Sequence, residues 1–465
     1  MRWLAISLLL VLWPALSVGL AQEDAPQVAE VEEQETPAEL EPTAEPVPDT
    51  FQTGGWDQWH KWPKMTGNWG GVRNDLADVG IAFDINITHV LQGNAHGGRD
   101  TTNAFRYSGS ADTTLTLDTG KMGLWPGGTI VLNGEPRWAN GINSKVGSLV
   151  PVNLDAAKPF VGDECEYTLS EYFIQQVLFD GKLILVAGKL DGSRVFDTNV
   201  FANDERTQFL NTAMRNNVMI PPFLPYTILG AGVVVNPTPW LSVLTAVADS
   251  EGKNSTTGFN TTFHGPTHTT VIHEWAVKVD PFGLPGNQRV GFAWSSKESN
   301  HLNPVSPFKE SGPLLMKYAP KLLEMLSPYL PYDQSPDNVM LYYNFDQYLY
   351  TEADDPTQGV GLFGRFGWAR DDVNPVNYFY SIGAGGKGLL PNRDNDTYGV
   401  GYYHVDLSND LPPMFHSEQG VECYYNIEVT PWLHISPDLQ FIVNPGGTDA
   451  NDVAIVYGMR MQMSL

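Results

Sequence analysis

The chain has 465 residues, is rich in Gly (45), Trp (13), Tyr (19) and Phe (21), and is only 17% charged. That composition suits one large closed β-barrel better than two or three soluble domains, since a barrel absorbs several hundred residues without splitting. The formal net charge of -26 excludes the basic footprint that nucleic-acid binding requires and disfavours polyanionic substrates.

The first elements are leader and spacer. Arg2 followed by the apolar run Trp3 to Trp13 and the small residues around Gly19-Leu20-Ala21 predicts a signal peptide over 1–21, cleaved before Gln22. No other run approaches the roughly 20 apolar residues of a membrane helix, so a helical membrane protein is excluded. Residues 22–55 are acidic and Pro-rich, as in Glu30-Val31-Glu32-Glu33, and predict a disordered segment too poor in apolar side chains to offset its chain entropy. Residues 56–80 form an aromatic lead-in (Trp56, Trp59, Trp62) and a short helix that Asn68 caps and Gly80 stops.

From Ile81 the period changes to two. Ile81, Phe83, Ile85 and Ile87 alternate with Ala82, Asp84, Asn86 and Thr88; Ala111, Thr113, Leu115 and Leu117 alternate with Asp112, Thr114, Thr116 and Asp118. At the end Val453, Ile455, Tyr457, Met459, Met461, Met463 and Leu465 oppose Ala454, Val456, Gly458, Arg460, Gln462 and Ser464. One greasy and one polar face fit a strand with lipid outside and water inside.

Strands are expected at Ile81–His89, Tyr107–Asp118, Thr129–Trp138, Glu166–Phe179, Lys182–Lys189, Tyr226–Val235, Leu241–Ser250 and Val271–Val279. The second half supplies Gln288–Ser295, Leu341–Tyr350, Gly359–Trp368, Tyr378–Ala384, Tyr398–Leu407, Gly420–Val429, His434–Val443 and Val453–Leu465. That makes about sixteen antiparallel strands, and every second connection is short (Asp180-Gly181, Asn236 to Pro239, Asp280 to Asn287, Thr430-Pro431-Trp432). The others include the long stretches Asp191 to Pro225 and Ser296 to Met340. Short periplasmic turns alternating with long external loops predict an all-β fold class, a transmembrane antiparallel β-barrel over 81–465 in a Gram-negative-type outer membrane. Trp125, Trp240, Trp432, Tyr378, Tyr424 and Tyr425 are candidates for its interfacial aromatic girdles.

Inward positions by alternation are Asn133, Glu135 and Arg137, then Arg365, Glu422, Asn426, Glu428 and Arg460. The polar stretch with Arg194, Asp197, Asn199, Asp204 and Arg206 is long enough to fold into the lumen as a constriction loop. Mixed guanidinium and carboxylate groups there hydrogen-bond hydroxyls and do not require a nucleophile.

Enzyme-like features are weak. Asp354-Asp355 and Asp371-Asp372 read as turn residues, Gly383-Ala384-Gly385-Gly386-Lys387 as a turn without phosphate-loop context, and His264, His268 and His273 lack a carboxylate cluster beyond Glu274. No enzyme, cofactor or metal is expected. Cys423 shares the lipid-facing row of Tyr425, Ile427 and Val429, so a bridge to Cys165 is not expected.

The segments Thr66-Gly67-Asn68-Trp69-Gly70-Gly71-Val72-Arg73-Asn74-Asp75-Leu76, Leu117-Asp118-Thr119-Gly120-Lys121 with Leu124-Trp125-Pro126-Gly127-Gly128, Ala187-Gly188-Lys189-Leu190-Asp191, and Val429 through Gly447 resemble the carbohydrate-selective porin (OprB-type) family. The resemblance runs from about Trp69 to Leu465 and implies a sixteen-stranded barrel passing glucose and other small neutral saccharides by passive diffusion. Outer-membrane lipid and the barrel assembly machinery are then the expected partners, and homo-oligomer formation stays open. Two departures are the longer acidic lead-in and Leu465 in place of a terminal Phe. The alternatives are a general porin without sugar preference, a structural tether acting through the acidic segment, and a secreted β-rich enzyme that would be soluble without detergent.

Overall fold

The computed structural model describes residues 54–138, 140–157, 166–250, 268–304 and 332–465. The predicted signal peptide, nearly all of the acidic segment, Cys165 and His264 lie outside the described residues.

Strands β1 (Ile81–His96), β2 (Phe105–Asp118), β3 (Gly128–Trp138), β4 (Glu166–Leu178), β5 (Leu183–Leu190), β6 (Ile228–Thr238), β7 (Leu241–Asp249), β8 (Thr269–Val279) and β9 (Gly286–Ser295) form the first part of the wall. A small separate hairpin, β10 (Ser299–Pro304) with β11 (Tyr332–Ser335), interrupts the series. The wall resumes with β12 (Asn338–Thr351), β13 (Gly359–Ala369), β14 (Val376–Lys387), β15 (Thr397–Leu407), β16 (Ser417–Thr430), β17 (Leu433–Val443) and β18 (Ala454–Ser464). Each wall strand is antiparallel to its neighbour, β12 follows β9, and β18 pairs back on β1 to close a sixteen-stranded barrel. Closure leaves no unpaired edge, which a sheet in hydrocarbon requires.

Register follows the hydrophobic pattern because a one-residue slip would exchange the faces. Ile87 stands opposite Met463 on one side and Ala111 on the other, keeping the outward row apolar. Inward, Thr88, Asp112, Arg460 and Gln462 are buried. One rim carries the tight connections at 179–182, 239–240 and 431–432; the other carries 139–165, 191–227 and 296–337.

The lead-in clasps the tight-turn rim at the seam where the barrel closes. Met65 N–H donates to Ser464 O (2.8 Å), Arg73 Nη2 to Leu465 O (3.1 Å), and Lys64 pairs with Asp84 (2.7 Å). The helix α1 (Val72–Asp78) ends as expected before Gly80, at φ +84 where a Cβ would meet Asp118 O at 2.6 Å. Its start differs: Asn68 makes no side-chain cap, and Gly71 at φ +106 occupies the N-cap while the Asn68 carbonyl receives Arg73 N–H.

The structure also revises three sequence expectations. Trp125, Trp240 and Tyr378 are exposed on the outer wall, but Trp432 is buried under Trp59 with ring centroids 4.5 Å apart, and its indole N–H bonds Trp59 O. Tyr424 belongs to the inward row and is likewise buried. Gly383 to Lys387 lie within β14 rather than in a turn; their glycines meet a packing need described below.

Candidate pore constriction

The connection 191–227 does not stay at the long-loop rim. It folds into the barrel and lies against the inner face of β7–β9 and β12–β16, where its Phe196, Phe201, Phe209, Met214, Met219, Ile220 and Phe223 join Ile272, Met340, Phe363, Phe379 and Tyr403 in one buried apolar cluster. Burying each such large side chain contributes roughly 1.5–3 kcal/mol. The wall makes room with glycine. Gly361, Gly385 and Gly399 form one row in register across β13, β14 and β15. A Cβ on Gly361 would enter the Phe201 ring at 2.3 Å, and one on Gly399 would meet the Phe209 ring at 2.7 Å. Phe209 then packs edge-on against Phe363 and Tyr424, at centroid distances of 5.5 and 4.8 Å.

A loop without secondary structure carries backbone polar groups that must be satisfied when buried. Wall side chains do this from four strands. Arg365 on β13, its side chain fully buried, donates to Asp197 Oδ2 (2.9 Å) and to the carbonyls of Met214 (2.7 Å), Ala202 (2.6 Å) and Arg215 (3.1 Å). Glu422 on β16 accepts from Leu210 N–H (2.6 Å) and Asn211 N–H (2.9 Å). Arg460 on β18 donates to Glu205 O (2.8 Å) and Gln208 O (2.7 Å), and Glu274 on β8 accepts from Asp197 N–H (2.9 Å). Asp197 holds φ +60 because its carboxylate is fixed between Arg365, Asn217 N–H and Asn344. Asn199 bonds Asn344 and Phe345 O.

A second inward segment comes from the connection between β3 and β4. Glu418 accepts from Ser148 Oγ (2.6 Å) and Leu149 N–H (2.7 Å), Gln440 donates to Val152 O (2.8 Å), and Leu154 N–H donates to Leu210 O (2.9 Å). The two inward segments are therefore joined to each other and to the β16–β17 wall.

The edge of the long loop that faces β2–β5 is polar. Arg206 reaches Asp112 on β2 (3.3 Å) and Asp204 beside it (3.4 Å), while Arg194 lies 3.6 Å from Glu171 on β4. Their side chains keep 26% and 35% exposure, whereas that of Arg365 keeps none, so these two arginines, unlike Arg365, retain accessible surface. Behind them Arg137 pairs with Glu135 and, at 3.2 Å, with Asp155, and lies 5.7 Å from the ring centre of Tyr226, whose hydroxyl donates to Glu135 (3.0 Å). Burial acts to raise the Asp204 carboxyl, but the Arg206 charge and the Thr207 hydroxyl outweigh it and hold the group below its ordinary range.

The eight candidate residues thus fall into three positions. Arg194, Asp204 and Arg206 lie at the open edge; Glu135 and Arg137 form a buried pair directly behind it; Asp197, Asn199 and Arg365 bind the loop to the wall away from the open edge. Among the other inward candidates, Asn133 and Asn426 are buried in wall hydrogen bonds, and Glu428 is half-buried near the tight-turn rim beside Asn395. Asp112, Asp155, Glu171, Tyr226 and Glu274 complete the arrangement and are not in the sequence-based set. Asp112 was legible from its polar row. Glu171, a carboxylate beside Tyr172-Phe173-Ile174, is a weaker signal.

Asp355 accepts from Thr357 N–H and Oγ1, as a turn carboxylate does, and Asp372 pairs with Arg370 (2.6 Å). His273 bonds Thr245 and packs edge-on against Trp275 on the outer wall. Among the described residues no group of three or more His, Cys, Asp or Glu side chains could hold a metal ion.

Comparison with known proteins gives one consistent result. The family model described as "Carbohydrate-selective porin, OprB family" matches residues 102–465. Porin B of Pseudomonas aeruginosa is 23% identical over 440 residues, covering 86% of this chain and 91% of that protein. The putative porin QuiX of Acinetobacter baylyi is 23% identical over 460 residues, covering 89% and 95%. The solved high-pH structure of Pseudomonas putida OprB superposes with a TM-score of 0.75 at 23% identity, over 87% of this chain and 99% of that one.

Proposed function

The chain belongs to the carbohydrate-selective porin (OprB) family and is an outer-membrane porin, and from that premise we propose that it passes small neutral saccharides, glucose among them, by passive diffusion. The observation that carries the reading is the paired charge at the open edge: Arg194 with Glu171, and Arg206 with Asp112 and Asp204. Each cation there faces a carboxylate, so a neutral solute meets donors and acceptors without crossing a one-sign field.

In this reading the long loop leaves the passage to the β2–β5 side. Guanidinium N–H groups of Arg194 and Arg206 donate to sugar hydroxyls, and the partly exposed Asp204 carboxylate accepts from them. An ion of either sign encounters a like charge a few ångströms from its partner and gains less than it loses on shedding water. Binding at such partly exposed guanidiniums is weak, which transit requires, because a tightly held solute would not leave. Flux in this reading follows the concentration gradient.

The test is a planar-bilayer conductance series with purified protein, in which saccharides are added as blockers. Glucose is expected to reduce ion conductance saturably, and more than a size-matched zwitterionic amino acid does. Equal reduction by both solutes would leave a general porin without sugar preference as the reading.

A further inference from the structure

Strand β16 carries two inward carboxylates four residues apart, Glu418 and Glu422, and both are fully buried. Each clamps two successive backbone N–H groups, one on each oxygen, but on different parts of the chain. Glu418 takes Leu149 N–H (2.7 Å) and Val150 N–H (3.2 Å) from the connection between β3 and β4. Glu422 takes Leu210 N–H (2.6 Å) and Asn211 N–H (2.9 Å) from the long loop. The remaining donors to Glu418 are neutral as well: Ser148 Oγ, the Tyr403 hydroxyl and Gly446 N–H. Bonds to an ionised acceptor are the strong kind, so both clamps are firm.

The two clamped segments also hold each other. Leu154 N–H donates to Leu210 O (2.9 Å) and Thr212 N–H to Pro151 O (3.0 Å), a two-way exchange like that between antiparallel strands. Gln440, the register partner of Glu422 on β17, donates to Val152 O (2.8 Å) and accepts from Asn211 Nδ2 (3.1 Å), so one wall amide holds a group from each segment. From this junction the chain runs directly back to the open edge. Gln208 closes the intervening stretch as a compact turn: its amide oxygen accepts from Asn203 N–H (2.6 Å) and Asp204 N–H (3.0 Å), and its own N–H donates to Asp204 O (2.9 Å). Contacts therefore run without a gap from Glu418 through 148–154 and 208–212 to Asp204 and Arg206.

We propose that Glu418 is a positioning residue for the constriction: by clamping 148–150 it fixes the junction between the two segments and, through it, the Arg206 that it does not touch. The inference rests on the porin reading, since it treats the Arg206 edge as the wall of a passage, but its test does not depend on which solute the pore prefers. The two inward segments act as one body, and loosening either clamp displaces the same edge.

The experiment compares wild type with Glu418→Gln, Glu418→Asp and Leu154→Pro, each refolded and checked for the heat-modifiable barrel band. Glu418→Gln sets an amide NH2 against one of the two N–H donors. Glu418→Asp keeps the charge but draws it back by one methylene. Leu154→Pro leaves the wall untouched and removes the N–H bonded to Leu210 O, at the first residue of the short helix Leu154–Ala157, where proline is accepted. Reversal potentials across a potassium chloride gradient read the charge balance at Arg206, Asp112 and Asp204. All three variants are expected to shift the cation-to-anion permeability ratio by about twofold or more, and Glu418→Gln in an Arg206→Gln chain is expected to add little further shift. Wild-type reversal potentials in folded Glu418→Asp and Leu154→Pro barrels would overturn the proposal, because a shift in Glu418→Gln alone then marks only the lost charge. A full further shift from Glu418→Gln in the Arg206→Gln chain would overturn it too. Glucose block is recorded on the same membranes: its absence in wild type would count against the saccharide reading alone and leave the Glu418 result standing.

Discussion

Along β12–β16 the inner wall is reduced to glycines, aromatic rings and fully buried ion pairs, whereas along β2–β5 it carries charge pairs that keep a share of their water. The first arc must bind an irregular loop as tightly as a core binds a helix, so wall side chains meet loop backbone groups directly, Glu422 the N–H groups of Leu210 and Asn211 and Arg365 the carbonyls of Ala202, Met214 and Arg215. In the proposed reading the second arc carries the passage, and Arg194 and Arg206 facing it are a quarter to a third exposed. The same residue types do different work in the two places. Arg365 spends all its donors on protein, and Arg206 keeps donors within reach of a solute.

The comparison breaks most readily at Arg365. Arg365→Met removes the cation from a fully buried pair and leaves the Asp197 carboxylate unmatched, a change of about 3–5 kcal/mol in loop docking. Wild-type-like barrel assembly with higher, noisier single-channel conductance and new protease cleavage within 191–227 is the expected outcome. A conductance identical to wild type would mean that the loop is held by apolar packing alone.

Filling the glycine row is the next largest perturbation. Gly385→Val places a Cβ 3.0 Å from Phe201 Cβ and further methyls beyond it, so overpacking should cost about 1–3 kcal/mol. The gel-shift unfolding temperature should fall, and Phe201→Ala in the same chain should restore part of it.

On the open arc the balance reverses. Arg206→Gln should change unfolding stability by less than about 1 kcal/mol, because the pair is partly exposed and screened. It should nevertheless raise the cation-to-anion permeability ratio, since Asp112 and Asp204 lose their shared partner. A large stability loss with unchanged ion selectivity would erase the distinction between the arcs.

The smallest effect serves as a control outside both arcs. In the turn after β12, hydrogen bonds from the Thr357 hydroxyl, the Gln358 amide and the Thr357 N–H lower Asp355 from 3.8 to about 2. A lowered carboxyl stabilises the fold above its ordinary value, and that contribution disappears as pH falls through about 2. A small difference in unfolding temperature between wild type and Thr357→Val should therefore be present at pH 5 and largely lost by pH 2. Ion selectivity should not change in this variant at pH 7.

The barrel was legible because lipid outside and water inside write a period of two into every strand, and each of the sixteen expected runs overlaps a wall strand. The hairpin β10–β11 was not, because it lies in a long connection without a clear alternation. Alternation also found Glu135, Arg137 and Arg365 as inward residues, but inwardness does not separate an anchor from a pore lining. That distinction depends on where the loop lies, and the loop's position is set by glycines that read locally as turn formers. Gly385 and Gly386 are strand residues because Phe201 needs the space above Gly385 and the Tyr398 ring lies over Gly386. Tyr424 is the same case from the other side: its position suggested a girdle, and Phe209 claims it for the interior.

The central claim is that the β2–β5 side selects neutral saccharides through charge pairs whose arginines stay partly exposed. Liposome swelling with purified protein tests it most directly, using glucose against a size-matched zwitterionic amino acid in wild type and in an Arg194→Gln, Arg206→Gln double variant. Faster glucose entry in wild type, with that preference lost in the double variant while the barrel remains folded, is the predicted result. Equal entry of both solutes in wild type, or an undiminished glucose preference in the double variant, would contradict it.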